Sequence, residues 1–124
     1  MSEVTLKRIE EIEPYRGPRT IPGIAMRPAA RALGVTAWGM NVIDLEPNVT
    51  GYPEHDHQKD GQEEVYVLLR GSATLHGEGQ EWRLEPGVLV RVGPTQRRKL
   101  VPGAEGARIL AIGCTPGKAY EPRR

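Results

Sequence analysis

The chain has 124 residues, of which 17 are basic and 16 acidic, so its formal net charge at neutral pH is +1. This length gives one domain with a single core, and the balanced charge excludes the broad basic face that binds nucleic acid. No apolar run is long enough to cross a bilayer, and the beginning of the sequence lacks the apolar core of an export signal. The single cysteine, Cys114, excludes an intrachain disulfide and is compatible with a reducing compartment. We therefore predict a cytoplasmic protein with no nucleic-acid partner and no membrane partner.

Residues 1–34 are predicted to form an extended N-terminal arm. Within residues 2–12 the apolar side chains are spaced ambiguously between a strand and a short amphipathic helix, and Pro14 ends whichever of these forms. The glycines and prolines that follow exclude long regular structure, apart from one turn of helix over Ala29–Leu33 before Gly34. Such an arm can pack along its own domain or exchange with a second subunit.

The next part of the chain, residues 35–113, has the pattern of an all-β domain. The chain contains 15 glycines and 11 prolines, and they separate short apolar runs rich in β-branched residues. Spacing of this kind is typical of a closed barrel or a double-sheet jelly roll, which can hold one small ligand. The predicted strands are 35–45, 64–69, 73–75, 81–84, 88–92, 98–101 and 107–112, with a hairpin turn at 76–79, breaks at 85–87 and 102–106, and an extended tail over 114–124.

Two histidines and a glutamate lie together just ahead of an apolar run. His55 and His57 are two residues apart, so on an extended segment their side chains share a face and can aim at one point. Glu64 immediately precedes the run 65–69, which has the pattern of a buried strand. A charged residue at the start of a buried strand is unusual and indicates a specific role. Two neutral imidazoles and one carboxylate suit iron, manganese, zinc, nickel or copper, with positions left open for water or substrate. The alternative is an acidic, solvated loop that merely contains two histidines.

At this point the sequence resembles a family, the cupins, and in particular a small single-domain cupin. The family's first motif is a glycine, a short spacer, His-x-His, a spacer, a glutamate, six residues and a glycine. The matching positions are Gly51, His55, His57, Glu64 and Gly71. The resemblance implies an all-β, cupin-like double-stranded β-helix, or jelly-roll barrel, in which His55, His57 and Glu64 are metal ligands.

One interval departs from the family pattern, because six residues lie between His57 and Glu64 where three or four are usual. Two extra residues in a turn over 59–61 are a tolerable insertion. The interval between the glutamate and Gly71 is kept in full, which selects Glu64 as the ligand. Its neighbour Glu63 is then expected to point away from the site.

The family's second motif ends in a histidine that supplies a fourth ligand, and no histidine stands there in this chain. The usual spacing from Pro86 places Arg98 at that position, or Arg97 if the turn is one residue shorter. A guanidinium stays protonated and cannot donate a lone pair to a metal. Two interpretations stay open. Either an open three-ligand site uses an arginine to hold an anionic substrate, or the arginine pairs with Glu64 and no metal is firmly bound.

Other side chains are predicted to line the pocket. Tyr66 shares a face with Glu64 because strand side chains alternate with a period of two. Trp38 and Met40 alternate on the preceding strand and are predicted to form a pocket wall, or else part of the core. The predicted substrate-binding residues are therefore Arg98, Arg97, Tyr66, Trp38 and Met40.

The resemblance implies a protein that binds a small molecule and has a divalent metal site. It implies a metal-dependent oxygenase or an isomerase acting on a small anionic substrate, and the sequence does not choose between these or name the catalytic residues. The alternative is a non-catalytic ligand-binding or sensor cupin without a firmly bound metal. The resemblance also implies a homodimer.

Overall fold

The computed structural model describes residues 3–122, so two residues of the predicted arm and two of the predicted tail lie outside the described range. The elements in that range are a 3-10 turn at Ile9–Glu11, β1 (Ile24–Arg27), α1 (Ala29–Leu33), β2 (Gly39–Leu45), β3 (Glu63–Gly77), β4 (Gln80–Leu84), β5 (Leu89–Val92) and β6 (Lys99–Cys114). No helix of the described chain has the length and apolar character needed to cross a bilayer.

The strands pair antiparallel in the order β1-β2-β6-β3-β4, and β5 also pairs with β3. The two long central strands, β3 and β6, hold this arrangement together. Along one edge, the first half of β3 pairs with β5 and the second half of β3 pairs with β4. Along its other edge, β3 pairs with β6. One long strand shared between two smaller sheets is how a jelly roll closes around a core. The predicted all-β fold is confirmed.

Both central strands bend where the sequence predicts breaks. The predicted strands 64–69 and 73–75 belong to the single strand β3, and 98–101 and 107–112 fall almost entirely within β6. Register shifts follow Leu68 and Gly71, and bulges of this kind bend a strand without ending it. Gly71 has φ +86°, and a Cβ there would lie 2.1 Å from the carbonyl oxygen of Gly106. The predicted break at 102–106 is therefore wrong, because the chain bends there within β6.

The predicted hairpin between β3 and β4 is confirmed. Glu78 and Gly79 form its turn with φ values of 48° and 79°. Positive φ at both central residues is characteristic of the type I′ turn, whose twist matches that of the flanking strands.

The main core fills the interior of the barrel. Tyr66, Leu68 and Leu75 on β3 alternate with outward-facing residues, and Ile43 and Ile109 come from β2 and β6. All five side chains are almost completely buried. The interior of the barrel is thus packed with side chains.

The arm contributes more regular structure than the sequence predicts. Ile24–Arg27 forms β1, which pairs with β2 at the sheet edge. The helical turn α1 is confirmed, and it ends at Gly34, whose φ is +82°. A second core cluster forms where Ile12 and Ala29 pack on Val42, on the outer face of β2. The arm therefore covers the side of β2 that faces away from the barrel interior.

A network of charged side chains ties the arm to the sheet. Asp44 on β2 accepts hydrogen bonds from Arg27 Nε at 3.0 Å and from Arg108 Nε at 2.7 Å. Arg108 also donates to Glu10 at 3.0 Å, and Arg27 donates to the carbonyl oxygen of Ile12 at 2.8 Å. Burial raises the pKa of Asp44, but the hydrogen bonds from Arg108 and Arg27 outweigh burial and lower this pKa below its usual value.

Candidate metal centre

The segment that carries the two histidines is attached to the chain just before β6. His55 and Arg98 form an antiparallel bridge, in which each backbone amide donates to the other's carbonyl oxygen at 2.9 Å. The amide of His57 donates to the carbonyl oxygen of Pro94 at 2.8 Å. These bonds hold the segment extended, so the two imidazoles emerge on one side as the sequence predicts.

Both imidazoles are oriented through their Nδ1 atoms. His55 Nδ1 lies 3.1 Å from the carbonyl oxygen of Pro53, which can only accept a hydrogen bond. His57 Nδ1 lies 3.0 Å from a carboxylate oxygen of Asp60, whose pKa is lowered because a backbone hydrogen bond from Gln62 and contact with His57 outweigh burial. Each Nδ1 therefore carries the proton, and each Nε2 presents a lone pair when the ring is neutral.

The two Nε2 atoms converge on the carboxylate of Glu64. His57 Nε2 is 3.4 Å from Glu64 Oε1, and His55 Nε2 is 3.9 Å from the same oxygen. The ligand atoms of all three residues lie within 4.8 Å of one another. Glu63 points outward, where its carboxylate accepts a hydrogen bond from Arg91 Nε at 2.8 Å. The expectation that Glu64 faces the histidines and Glu63 faces away is confirmed.

Two buried side chains in the barrel interior donate hydrogen bonds to Glu64. The Tyr66 hydroxyl donates to Glu64 Oε1 at 2.8 Å, and Arg98 Nη2 donates to the same oxygen at 2.5 Å. Burial would raise the pKa of Glu64, but the surrounding polar groups of His55, Arg98 and Tyr66 lower it to about 2. Glu64 is therefore a carboxylate at neutral pH, the form that binds a cation.

Arg98 is completely buried, with 0% of its side chain exposed. Its Nη1 donates to the backbone carbonyl oxygen of Gln96 at 2.7 Å, and its Nη2 is used by Glu64. Its Nε is buried and has no hydrogen-bond partner among the described residues. The guanidinium is thus directed at the protein itself, which leaves it few donors for a substrate.

The distances from the two imidazoles to Glu64 can be compared with those expected around a metal ion. Two bonds of about 2.1 Å that meet at a tetrahedral angle separate their ligand atoms by roughly 3.4 Å. The distance from His57 to Glu64 has this value, and the distance from His55 exceeds it by a few tenths of an ångström. Hydrogen bonds to Nδ1 atoms and to the carboxylate are the supports that metal ligands usually have. A three-ligand site would require His55 Nε2 to lie a few tenths of an ångström nearer Glu64 Oε1.

The fold is shared with many solved structures. A sugar phosphate isomerase of the cupin superfamily from Silicibacter pomeroyi is 22% identical, with a TM-score of 0.75 over 90% of this chain and 77% of that one. A predicted oxalate decarboxylase from Thermotoga maritima is 20% identical, with a TM-score of 0.70 over 90% and 99% of the two chains. A cupin protein from Bacteroides fragilis is 19% identical, with a TM-score of 0.65 over 88% and 91%.

The chain has the fold of a small cupin. No protein-family model matches the sequence, and no curated protein matches it. The long interval between His57 and Glu64 is accommodated by a turn, as predicted, in which the Gly61 amide donates to the His57 carbonyl oxygen at 2.7 Å. Gly71, the last residue of the first motif predicted from the sequence, lies at the bend in β3.

The two arginines predicted at the position of the fourth ligand, Arg97 and Arg98, point in opposite directions. Arg98 faces the site, whereas Arg97 faces solvent and donates to Glu54 at 2.9 Å. Strand alternation requires one inward and one outward residue, and the bridge between Arg98 and His55 determines which is which. That Arg98 stands in for a fourth histidine ligand stays an interpretation.

Of the other predicted pocket residues, only Tyr66 contacts the three-ligand cluster in the described chain. Met40 lies on the outer face of β2 and packs with Val42 against the arm. This packing agrees with the core role that the sequence left open for Met40, because Ile43 and Leu45 face the main core and alternation turns the even-numbered residues outward. Trp38 precedes β2 in a bend and is exposed.

Two residues beside the site were not predicted from the sequence. Asp60 orients His57. The sequence pattern that could have indicated this role is an acidic residue in a turn, three positions after a histidine. Tyr52 is buried next to His55, with ring centroids 6.0 Å apart, and burial raises its pKa to about 12. Tyr52 is therefore a neutral phenol at physiological pH.

Proposed function

We propose that this protein is a metal-dependent cupin enzyme that acts on a small anionic molecule at His55, His57 and Glu64. One observation carries the proposal: both imidazoles have Nδ1 held by an acceptor, and both Nε2 lone pairs meet at a carboxylate. A solvated loop with two incidental histidines would not need three separate supports for its ligand atoms. Cytoplasmic location, where Cys114 stays a free thiol, is part of the same proposal.

The chain's own residues would position the ligands. Tyr66 and Arg98 fix Glu64, Asp60 fixes His57, and the bridge to Arg98 fixes the backbone of His55. A bound divalent ion would supply open coordination positions and polarise substrate oxygen atoms. Because Arg98 is committed to Glu64, we expect an anionic substrate to be held mainly by the ion.

The surroundings favour oxygen insertion over isomerisation. Isomerisation through an enediolate needs a base that moves a proton within the substrate. The buried ionisable groups next to the three ligands are Tyr52 and Tyr66, whose pKa values are raised by burial, and Arg98, which stays protonated. None of these three is a base at neutral pH. The isomerase named among the similar structures keeps isomerisation as the second chemistry to test.

A second candidate function is a metal-free cupin that binds or senses a small ligand. The hydrogen bond from Arg98 to Glu64 supports it, because a buried guanidinium already neutralises the carboxylate that a cation would need. In that case the ligand would meet the two imidazoles without an ion.

Metal content separates the two candidates. The protein is purified without chelators or a histidine tag, reconstituted with each candidate ion and analysed by elemental mass spectrometry. We expect about one equivalent of a transition metal in wild type and less than about a tenth in His57→Ala. His76→Ala is the matched control, since the His76 ring lies outside the site beside Thr74 and should leave metal content unchanged. Wild type without metal after reconstitution would contradict the enzyme and support the metal-free binder.

The class of reaction is tested on the protein after reconstitution with the metal ion. Oxygen uptake is measured with 2-oxo acids, hydroxy acids and sugar phosphates, and proton exchange into the same compounds is followed in deuterated water. Substrate-dependent oxygen uptake supports the oxygenase. Exchange without oxygen uptake would instead establish isomerisation and overturn the preference stated above.

A further inference from the structure

The turn that carries Asp60 is mostly exposed and is shaped mainly by its own residues. It spans residues 58–61, between His57 and β3. The Gly61 amide donates to the His57 carbonyl oxygen at 2.7 Å, and the Gln62 amide donates to the Asp60 carboxylate at 3.1 Å. Bonds between near neighbours set the shape of a turn, but they leave it free to move as a unit relative to the barrel.

One hydrogen bond joins this turn to a distant part of the chain. The Thr115 hydroxyl donates to the backbone carbonyl oxygen of Asp60 at 2.7 Å, across 55 positions of sequence. Within residues 3–122, no other hydrogen bond links 58–61 to a residue outside 56–62. The methyl group of Thr115 also lies against the turn, since a Cβ on Gly61 would be 3.4 Å from Thr115 Cγ2.

Thr115 is itself held on both sides. Cys114, the last residue of β6, pairs with Glu63 at the start of β3. After Thr115 the chain turns back, and the Lys118 amide donates to the Thr115 carbonyl oxygen at 3.2 Å. The hydroxyl is therefore presented from a fixed place beside β3, the strand that carries Glu64.

We propose that Thr115 is a positioning residue for His57, so that the segment after β6 takes part in building the metal centre; this inference rests on the proposed function. Thr115 holds the backbone of Asp60, and the Asp60 carboxylate holds His57 Nδ1 at 3.0 Å. This contact leaves His57 Nε2 facing Glu64 Oε1 at 3.4 Å. Partners of the outer ring nitrogen fix the tautomer and orientation of a histidine ligand, and a partner on a mobile turn does so only when the turn is anchored.

Affinity for Zn²⁺, measured by competition with a fluorescent chelator, tests the proposal first. Thr115→Val keeps the methyl contact with Gly61 but removes the hydroxyl. We expect it to weaken binding roughly 3- to 10-fold, less than the loss of about 10- to 100-fold that is usual for a direct partner of a ligand. Thr115→Ser keeps the hydroxyl and should retain wild-type affinity. Thr74→Val is the control, since the Thr74 hydroxyl contacts His76 outside the site. Wild-type affinity in Thr115→Val, or an equal loss in Thr115→Ser, would overturn the proposal.

A double variant tests whether Thr115 acts through Asp60. Residues that act in one chain of contacts have effects that do not add. Adding Thr115→Val to Asp60→Asn should therefore weaken Zn²⁺ binding much less than Thr115→Val does in wild type. Full additivity would contradict the route through Asp60.

The tautomer of His57 gives a readout that needs no metal. It is read from the ¹⁵N shifts of the ring in metal-free protein, at a pH where the ring is neutral. We expect the form protonated at Nδ1 to predominate in wild type and in Thr115→Ser, and to be less populated in Thr115→Val. If wild type binds no Zn²⁺ but Thr115→Val changes the tautomer, the proposed function fails and the positioning of His57 by Thr115 stands. A tautomer that is the same in all three proteins would overturn the role of Thr115.

Discussion

Arg98 and Glu64 form a buried ion pair inside the barrel, in which Arg98 Nη2 donates to Glu64 Oε1 at 2.5 Å. The pair joins the end of the second motif to the carboxylate of the first across 34 positions of sequence. Its guanidinium is buried more deeply than any other charged side chain in the described chain. We therefore expect the stability of the protein, and the affinity of Glu64 for the proposed metal ion, to depend on this pair.

Removing the buried arginine should destabilise the protein strongly. Breaking a buried pair by deleting one partner typically costs about 3–5 kcal/mol, because the remaining charge is left without compensation. We expect Arg98→Met to lower the free energy of unfolding in urea by about 3 kcal/mol. Its neighbour gives the control: Arg97→Met removes an exposed pair with Glu54 and should cost less than about 1 kcal/mol. Equal losses would contradict the structural role of Arg98.

The bend in β3 should tolerate only glycine. A Cβ at residue 71 would lie 2.1 Å from the carbonyl oxygen of Gly106, and the backbone there has φ +86°. We expect Gly71→Ala to cost roughly 3 kcal/mol or more, since it adds a backbone clash to an unfavourable conformation. Gly79→Ala has a similar φ, +79°, with nothing near its Cβ, and should cost only about 1–2 kcal/mol. Thermal unfolding of the two variants measures the difference, and similar losses would argue against the clash.

Orientation of His57 should affect metal affinity. Asp60→Asn keeps the turn acceptor for the Gln62 amide but removes the negative charge that holds His57 Nδ1. Outer-shell changes of this kind usually weaken metal binding about 10- to 100-fold. Competition with a fluorescent chelator would measure the change. Asp56→Asn is the control, because Asp56 accepts only from the Gln58 amide and a distant Arg97. An unchanged affinity in Asp60→Asn would exclude the orienting role.

The arm network should make stability depend on acid pH. The pKa of Asp44 is lower in the folded protein than in the unfolded chain, so its contribution is complete above the unfolded value. That contribution is lost as the pH falls through the folded pKa. We expect Asp44→Asn to lower the free energy of unfolding at pH 7 by about 2 kcal/mol and to lose less stability than wild type on acidification. Parallel loss in both proteins as the pH falls below the ordinary value of 3.8 would show that Asp44 does not contribute.

The first motif could be predicted from the sequence because its geometry is local. The period of two separates Glu64 from Glu63, and one extended segment brings His55 and His57 to a common side. The choice between Arg97 and Arg98 could not be made from the local sequence pattern. It depends on the backbone bridge between Arg98 and His55, which no spacing within either motif encodes.

The sequence left the orientation of β2 open for a related reason. Apolar residues occupy both faces of this strand, with Met40 and Val42 outside and Ile43 and Leu45 inside. Alternation identifies a core face only when the other face is polar. The outer face is apolar because the arm covers it, and the strand β1 within that arm was itself missed.

The backbone bonds from the histidine segment to Pro94 and Arg98 have a consequence for synthesis. A nascent chain that has emerged only as far as β5 already contains all three ligand side chains. It lacks the carbonyl groups that hold the histidine segment, and it lacks the arginine that fixes the carboxylate. Metal capture would therefore wait for about the last quarter of the polypeptide, so that a ribosome-bound or truncated product carries the three ligands without the affinity.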